Sequence, residues 1–331
     1  MDKNTDKILK LTIPKGSLQE VVEDLFKNAG LRLRFASSRD YRPTVGDPEI
    51  YVKLLRPQEI PNYLIGEDEF DVGISGIDWV KETNAEVEVI LDLEIGGVRI
   101  VFCVPDTWDH IDSLDEVLTK FNEDKRVLRI STEYLTLSLN YLKNNEAYKN
   151  LYGNKAPLVI TPWRTWGEND RVKIFLSFGA TEAKPPEEVD CIIDNTQTGS
   201  TLRANNLKIV EVIGHSTAML IANKNALQDD WKREKIKDLK VLLMGVIDAS
   251  KKLHIFMNVK AENLEKILNE LPAMKRPTIS KLAGDENDGW YAINTIIKKK
   301  EFLSLIPKLR QYAQGLVVHE PRQILPLEQN K

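Results

Sequence analysis

Apolar Cys191-Ile192-Ile193 delivers the carboxylate of Asp194, and Asn195-Thr196-Gln197-Thr198-Gly199-Ser200-Thr201-Leu202 then sets small hydroxyl residues around a glycine. That combination suits phosphate recognition, because a glycine turn frees backbone N–H groups to converge with side-chain hydroxyls on an anion. Asp194, at the strand end, is placed to accept from ribose hydroxyls while the turn of residues 198–201 holds a phosphate. The spacing is not that of a P-loop, since the Gly-Lys-Ser/Thr ending is missing. A polar turn without function has the same composition. A second anion-binding pattern lies in Pro14-Lys15-Gly16-Ser17, where a strand breaks before a helix whose free N–H groups and dipole favour negative charge. An ordinary strand-to-helix turn explains these residues equally well.

The elements that position these groups follow from periodicity. Residues 8–13 alternate as a strand, and Leu18, Val21, Val22, Leu25, Phe26 and Ala29 mark one helix face, with Ser17 and Glu20 spaced as a capping box. Residues 57–66 read as helical, 70–75 as a buried strand, and Gly76-Ile77-Asp78 as the start of a helix. Strands at 98–104, 127–131 and 190–194, a helix at 135–142, and strand-like runs within 157–177 continue the alternation. Such order predicts an α/β fold of mainly parallel sheets in two lobes around a cleft. The first lobe spans 1–104, completed by about 205–230, and the second spans 105–204. A charged helical connector at 231–252 precedes a domain at 253–331 whose order, βαββαβ, is ferredoxin-like.

Composition excludes several alternatives. The chain has 331 residues, 42% hydrophobic, enough for two or three domains. Its formal charge of −4 argues against a general nucleic-acid binder. Cys103 and Cys191 sit in apolar stretches and read as core residues, and His110, His215, His254 and His319 lack ligand spacing. The polar start and the lack of a long apolar run predict a cytoplasmic protein.

The loop at 194–202 resembles that of the ATP phosphoribosyltransferases, whose signature is a strand aspartate followed by Thr-Gly-x-Thr-Leu. Pro14-Lys15-Gly16-Ser17-Leu18, Arg39-Asp40-Tyr41-Arg42-Pro43, Leu54-Leu55-Arg56-Pro57-Gln58-Glu59-Ile60-Pro61, Asp71-Val72-Gly73-Ile74-Ser75-Gly76 and Gly179-Ala180-Thr181-Glu182-Ala183 also look like family segments in family order. Residues 257–259, 277–279 and 315–318 are similar to the regulatory tail of the long form. Two departures stand just before or within the loop: Asn195 replaces an apolar residue common in the family, and Pro185-Pro186-Glu187-Glu188 replaces a glycine-containing turn.

The resemblance implies a periplasmic-binding-protein-like catalytic region plus an ACT-like domain. It implies attack of ATP N1 on the anomeric carbon of phosphoribosyl pyrophosphate, with inversion and loss of pyrophosphate. Asp194 would hold the ribose, and Thr196, Thr198, Gly199, Ser200 and Thr201 the 5-phosphate. Lys15, Gly16, Ser17, Arg39, Arg42, Arg56, Ser75 and Gly76 would serve ATP or pyrophosphate, and Glu182 the substrate or its metal. The carboxylates of Glu67, Asp68, Glu69 and Asp71 read as solvated or capping. Magnesium would arrive on substrate phosphates without a dedicated protein motif. Histidine, as inhibitor, would meet Asn258, Met274, Arg276, Thr278, Ile296 and Gly315, in a homo-oligomer running from dimers to a hexamer. A two-lobed solute-binding protein and a catalytically silent amino-acid sensor are the alternatives.

Overall fold

Runs of branched apolar residues become strands covered on both faces, as parallel and mixed sheets of α/β proteins require. The structure is a computed structural model that describes residues 7–37, 39–66, 70–271, 277–283 and 289–326. The chain opens with β1 (Leu9–Pro14), α1 (Gln19–Asn28), β2 (Ile50–Leu55), β3 (Val72–Gly76), α2 (Ile77–Thr83) and β4 (Glu88–Asp92). It continues through β5 (Val98–Pro105), α3 (Leu114–Glu123), β6 (Leu128–Thr132), α4 (Leu135–Asn144), α5 (Glu146–Tyr152), β7 (Pro157–Ile160), β8 (Thr165–Trp166) and β9 (Asn169–Leu176). Then come β10 (Cys191–Thr196), α6 (Ser200–Ala204), β11 (Leu207–Ser216) and β12 (Ala218–Ala222).

These strands form two sheets, ordered β2-β1-β3-β12-β4 and β11-β5-β10-β6-β9-β7-β8. The chain leaves the first sheet after β4 and returns at β12, which makes two lobes joined by two crossings. The lobe boundary differs from the expected residue 104, because β5 pairs with both β10 and β11 and so belongs wholly to the second sheet. For the same reason β11 extends the second lobe, and β12 alone returns to the first sheet. The sheets are also mixed rather than mainly parallel: β12 runs antiparallel to β3 and β4, and β5 antiparallel to its two neighbours. A strand that enters from the other sheet needs no helical crossover on its own sheet, and so it can run antiparallel. β1 with β3, and β10, β6, β9 and β7 in succession, keep the expected parallel pairing.

Both cysteines lie in the second sheet's core, and burial pushes the Cys103 thiol up to about 12. Asp71 accepts the Lys10 N–H at 2.7 Å, so its buried carboxylate braces β1 against β3. Glu67, Asp68 and Glu69 lie outside the described residues.

Chain contacts separate Ile8–Val21 with Val52–Asp229, which carry these sheets, from a second unit that includes Val22–Tyr51 and the chain from Asp230 onward. In that second unit α7 (Asp230–Ser250) precedes β13 (Lys252–Lys260), α8 (Ala261–Glu270), β14 (Thr278–Lys281), β15 (Trp290–Lys298), α9 (Lys299–Tyr312) and β16 (Ala313–His319). The order β14-β15-β13-β16, antiparallel throughout, is the ferredoxin-like sheet expected from the βαββαβ pattern. Alternation along β13 sends Leu253, Ile255, Met257 and Val259 into the core shared with Ile267, Leu305 and Leu309.

α2 of the first lobe is tied to α4 of the second by Glu82, whose carboxylate accepts the N–H groups of Thr136 and Leu137 at 2.8 and 3.0 Å. Those N–H groups open α4 and have no acceptor within the helix. Glu82→Ala should therefore cost about 1–3 kcal/mol in denaturant unfolding, the penalty of leaving such donors unpaired. An unchanged midpoint would show that water replaces the carboxylate freely.

Candidate active site

β6 ends at Thr132, which stands opposite Ile193 of its parallel neighbour β10. Asp194 and Glu133 therefore both lie one residue beyond the last β6–β10 rung, near the carboxyl ends of the strands where open α/β sheets place their ligands, although β10 runs on to Thr196 paired with β5 and Asp194 stands opposite Val101. Asp194 is half-buried, and its ordinary carboxylate pKa is raised to about 7. Desolvation is the main cause; the charges of Glu133 and Glu182 act in the same direction, while the Asn195 N–H, donated at 2.7 Å, and Lys184 oppose it. Lys184 is held by Ser177 Oγ at 2.6 Å and Ser131 Oγ at 3.3 Å.

The loop beyond Asp194 is a tight turn braced from within. Buried Thr196 accepts the Gly199 N–H on Oγ1 at 2.9 Å, and Thr198 Oγ1 accepts the Ser200 N–H at 3.3 Å. Gly199 has φ +76°, a left-handed conformation that a branched residue resists. A Cβ there would also come within 3.2 Å of the Arg203 guanidinium and 3.9 Å of that of Arg99. Thr198, Ser200 and Thr201 are exposed, so hydroxyl groups and two cations border an open turn.

Lys15, Gly16, Ser17, Arg56 and Gly76 come together around a cavity of about 190 Å3. α1 begins at Gln19, so Leu18 stands immediately before the helix, and Ser17 lies exposed beside the cavity instead of at the cap position expected of it. Arg56, Gln58, Trp79 and Glu133 continue into a neighbouring concavity of about 530 Å3, walled further by Leu176 and Phe178. The small cavity alone cannot take a nucleotide, but the larger concavity is within the usual range for ligand sites. Ser75 is not part of this wall: it is buried, and its hydroxyl donates to the Pro57 carbonyl at 2.8 Å. Arg39 and Arg42 are exposed on the Val22–Tyr51 segment, where Arg42 Nε donates to Tyr51 Oη at 2.9 Å. Glu182 lies beside Asp194 electrostatically and lines a separate concavity with Asp106 and Asn205.

The floor of the first cavity contains residues that motif reading missed. Asp78 is buried and accepts from Ser216 Oγ at 2.6 Å and from Tyr134 Oη at 2.8 Å. Gly76 makes room for it, since a Cβ there would lie 2.1 Å from Asp78 Oδ1. Tyr134 is fully buried, stacks on Trp79 at 4.5 Å, and accepts from Asn195 Nδ2 at 2.9 Å. Burial beside Asp78 pushes the Tyr134 hydroxyl well above its usual range, so it remains a donor. The signal that marks Glu133 and Tyr134 is position: they directly follow a buried strand, at its carboxyl end.

In the ferredoxin-like domain, register puts His254 with Ile296, Phe256 with Asn294 and Thr278, and Asn258 with Ala292 and Ser280. Asn258, Thr278 and Ile296 thus share the sheet face opposite the helix-packed core, over three successive rows. Gly315, at φ +62°, lies in the irregular pairing of β16 with β13. Met274 and Arg276 lie outside the described residues.

A raised Asp194 pKa has a measurable stability consequence. The folded state favours the protonated acid, so its contribution is full below about 4 and is lost as pH rises through about 7. Asp194→Asn should match the parent near pH 4 and be more stable at pH 8 by about 1–3 kcal/mol, discounted for partial exposure. Urea unfolding at both pH values checks this, and a pH-independent difference would contradict it.

The ATP phosphoribosyltransferase family model (HisG) matches residues 56–245, and the HisG C-terminal domain model matches residues 249–320. An ATP phosphoribosyltransferase of Pelotomaculum thermopropionicum is 38% identical over 318 residues, covering 95% of this chain and 97% of its own. One from Thermodesulfovibrio yellowstonii is 37% identical over 327 residues, covering 97% and 99%. Among solved structures, the Thermotoga maritima ATP phosphoribosyl transferase (HisG:HisZ) complex matches with TM-score 0.54 and 24% identity, over 73% of this chain and 99% of that one, a likeness of fold. With one family model spanning more than half its length and such relatives matching almost all of it, the chain belongs to the ATP phosphoribosyltransferases, the pentosyltransferases of the first step of histidine biosynthesis.

Proposed function

We propose that the chain joins ATP N1 to the anomeric carbon of phosphoribosyl pyrophosphate, with inversion, under feedback control by histidine. The observation that carries the reading is Asp194 on β10, close enough to Glu133 to feel its charge, followed by the Gly199 turn, while its neighbour Asn195 lines the same cavity as Lys15, Arg56 and Glu133. The N1 lone pair forms the new N–C bond while the electrons of the C–O bond leave with pyrophosphate. Both reacting groups belong to substrates, so the protein's work is alignment and charge stabilisation. Asp194 accepts from the ribose hydroxyls, and its charge is favoured increasingly as the ring becomes cationic, an interaction stronger in the transition state than before it. The turn of Thr198, Gly199, Ser200 and Thr201, braced by Thr196, takes the 5-phosphate; Lys15, Gly16, Ser17 and Arg56 take pyrophosphate or ATP phosphates.

Magnesium fits this site as a substrate-borne ion. No group of three or more described His, Cys, Asp or Glu residues is arranged to hold a metal, yet Glu133 and Glu182 already disfavour the Asp194 anion, a charge balance that an arriving cation relieves. Glu182 and Glu133 would hold the ion, which would supply positive charge to balance the pyrophosphate. Among the described residues no helix is long and apolar enough to cross a membrane, which suits the cytoplasmic location proposed for such an enzyme. Residues 253–331 form the regulatory domain in this reading, with residues 231–252 as connector and a homo-oligomer up to a hexamer as the assembly.

Incubation with ATP, magnesium and phosphoribosyl pyrophosphate should yield phosphoribosyl-ATP, and Asp194→Asn should lose most turnover while staying folded. Near-normal turnover in that variant would remove Asp194 from the mechanism. In the parent, kcat/KM for phosphoribosyl pyrophosphate should climb with pH through about 7, because the free enzyme must ionise Asp194 first. Gly199→Val should weaken phosphoribosyl pyrophosphate binding more than ATP binding in calorimetric titration, since the strain falls on the phosphate turn. For control, Asn258→Ala and Thr278→Val should each raise the histidine concentration needed for half-inhibition by about 2- to 12-fold, the usual worth of one hydrogen bond. Parent-like inhibition in both correctly assembled variants would move the effector site elsewhere.

A further inference from the structure

We propose that Asn195, Tyr134 and Asp78 form a positioning relay that sets the phosphoribosyl loop from the opposite lobe. The proposal rests on the assignment of Asp194 to the ribose. Asn195 is held at both ends: its backbone N–H donates to the Asp194 carboxylate at 2.7 Å, and its side-chain Nδ2 donates to Tyr134 Oη at 2.9 Å. Tyr134 in turn donates to Asp78 Oδ2 at 2.8 Å, and Ser216 Oγ occupies the other oxygen at 2.6 Å. Each hydrogen bond fixes the next direction. A phenol that donates to a buried carboxylate has its lone pairs left for the Asn195 side-chain amide, and a residue so held keeps its backbone N–H on the Asp194 carboxylate.

Geometry gives the relay its function. Asp78 lies on α2 of the first lobe, whereas Tyr134, Asn195 and Ser216 belong to the second. Asp78, Trp79, Tyr134, Asn195 and Ser216 line the same cavity as Lys15 and Arg56. Asp194 and the turn beyond it are not part of that lining, so the relay is the hydrogen-bonded route by which the cavity wall constrains the carboxylate. The antiparallel pairing with β5 fixes the backbone of residues 194–196 but not the direction of the half-buried Asp194 side chain. Here the side chain directly after it is anchored 2.9 Å from a fully buried ring that is itself stacked on Trp79. An apolar residue at 195 would keep the strand and lose the anchor.

A double-mutant cycle on the full chain tests the relay, because residues acting through one chain of bonds show non-additive losses. Asn195→Ala and Tyr134→Phe should each reduce kcat/KM for phosphoribosyl pyrophosphate about tenfold, with KM for ATP changed less than twofold. Tyr134→Phe keeps the ring and its stack. The double variant should lose about tenfold, not about a hundredfold, and Asn195→Gln, which restores an amide, should recover part of the Asn195→Ala loss. A hundredfold loss in the double variant, equal effects on both substrates, or parent-like kinetics in the single variants would each overturn the relay. Asp194→Asn, assayed alongside, separates the two ideas: full activity there would defeat the ribose assignment, whereas an inactive Asp194→Asn with an additive cycle would defeat the relay alone. Should Tyr134→Phe fold poorly, Asp78→Asn replaces it in the cycle, with the same tenfold non-additive loss expected.

Discussion

A carboxylate buried at the first turn of a helix needs a donor for each oxygen, since an unpaired charge away from water costs several kcal/mol. Asp78 finds both donors, Tyr134 and Ser216, on the second sheet while its own helix belongs to the first. Glu82, one turn further along α2, repeats the arrangement by accepting two N–H groups of α4. The lobes are therefore joined by satisfied carboxylates as well as by two chain crossings. Separating them would break all four of these hydrogen bonds at once, which favours a preformed cleft.

Charge at the cleft has two opposed sides. Lys15 and Arg56 face one part of the cavity, and Arg99 and Arg203 border the Gly199 turn. Asp194 lies near Glu133 and Glu182, whose repulsion adds to desolvation in raising the Asp194 pKa. An all-cationic cleft would bind phosphates but offer nothing to a ribose that turns positive. An all-acidic one would repel both substrates. The presence of both signs suits the proposed reaction, whose substrates carry phosphates at their ends and develop positive charge in the middle.

Legibility in the sequence followed the range of the interactions. β1, β3, β5 and β10 were readable because continuous burial leaves an apolar run, and the βαββαβ tail because its periods change cleanly from strand to helix. Strand direction was not readable: whether β12 or β5 runs parallel depends on which sheet the chain enters, and no local pattern records that. Within the site, Lys15, Gly16, Ser17, Arg56 and Gly76 were found as motif members and do converge, whereas Ser75 proved to be spent on the Pro57 carbonyl. Tyr134 and Asp78 escaped notice because their partners are 56 to 138 residues away.

The substitution at 195 shows how such a distant partner changes the meaning of a departure. From sequence, an amide beside Asp194 reads as a loss of strand apolarity at the edge of the loop. With Tyr134 in reach, it becomes a donor that costs little, because the residue is exposed on β10 and its Nδ2 is satisfied. The phenol could not serve two partners if it ionised, and burial beside Asp78 holds it protonated. A buried acid, a buried phenol and an exposed amide thus need one another in that order. Removing the acid frees the phenol, removing the phenol frees the amide, and only the last step reaches the carboxylate proposed to meet the ribose.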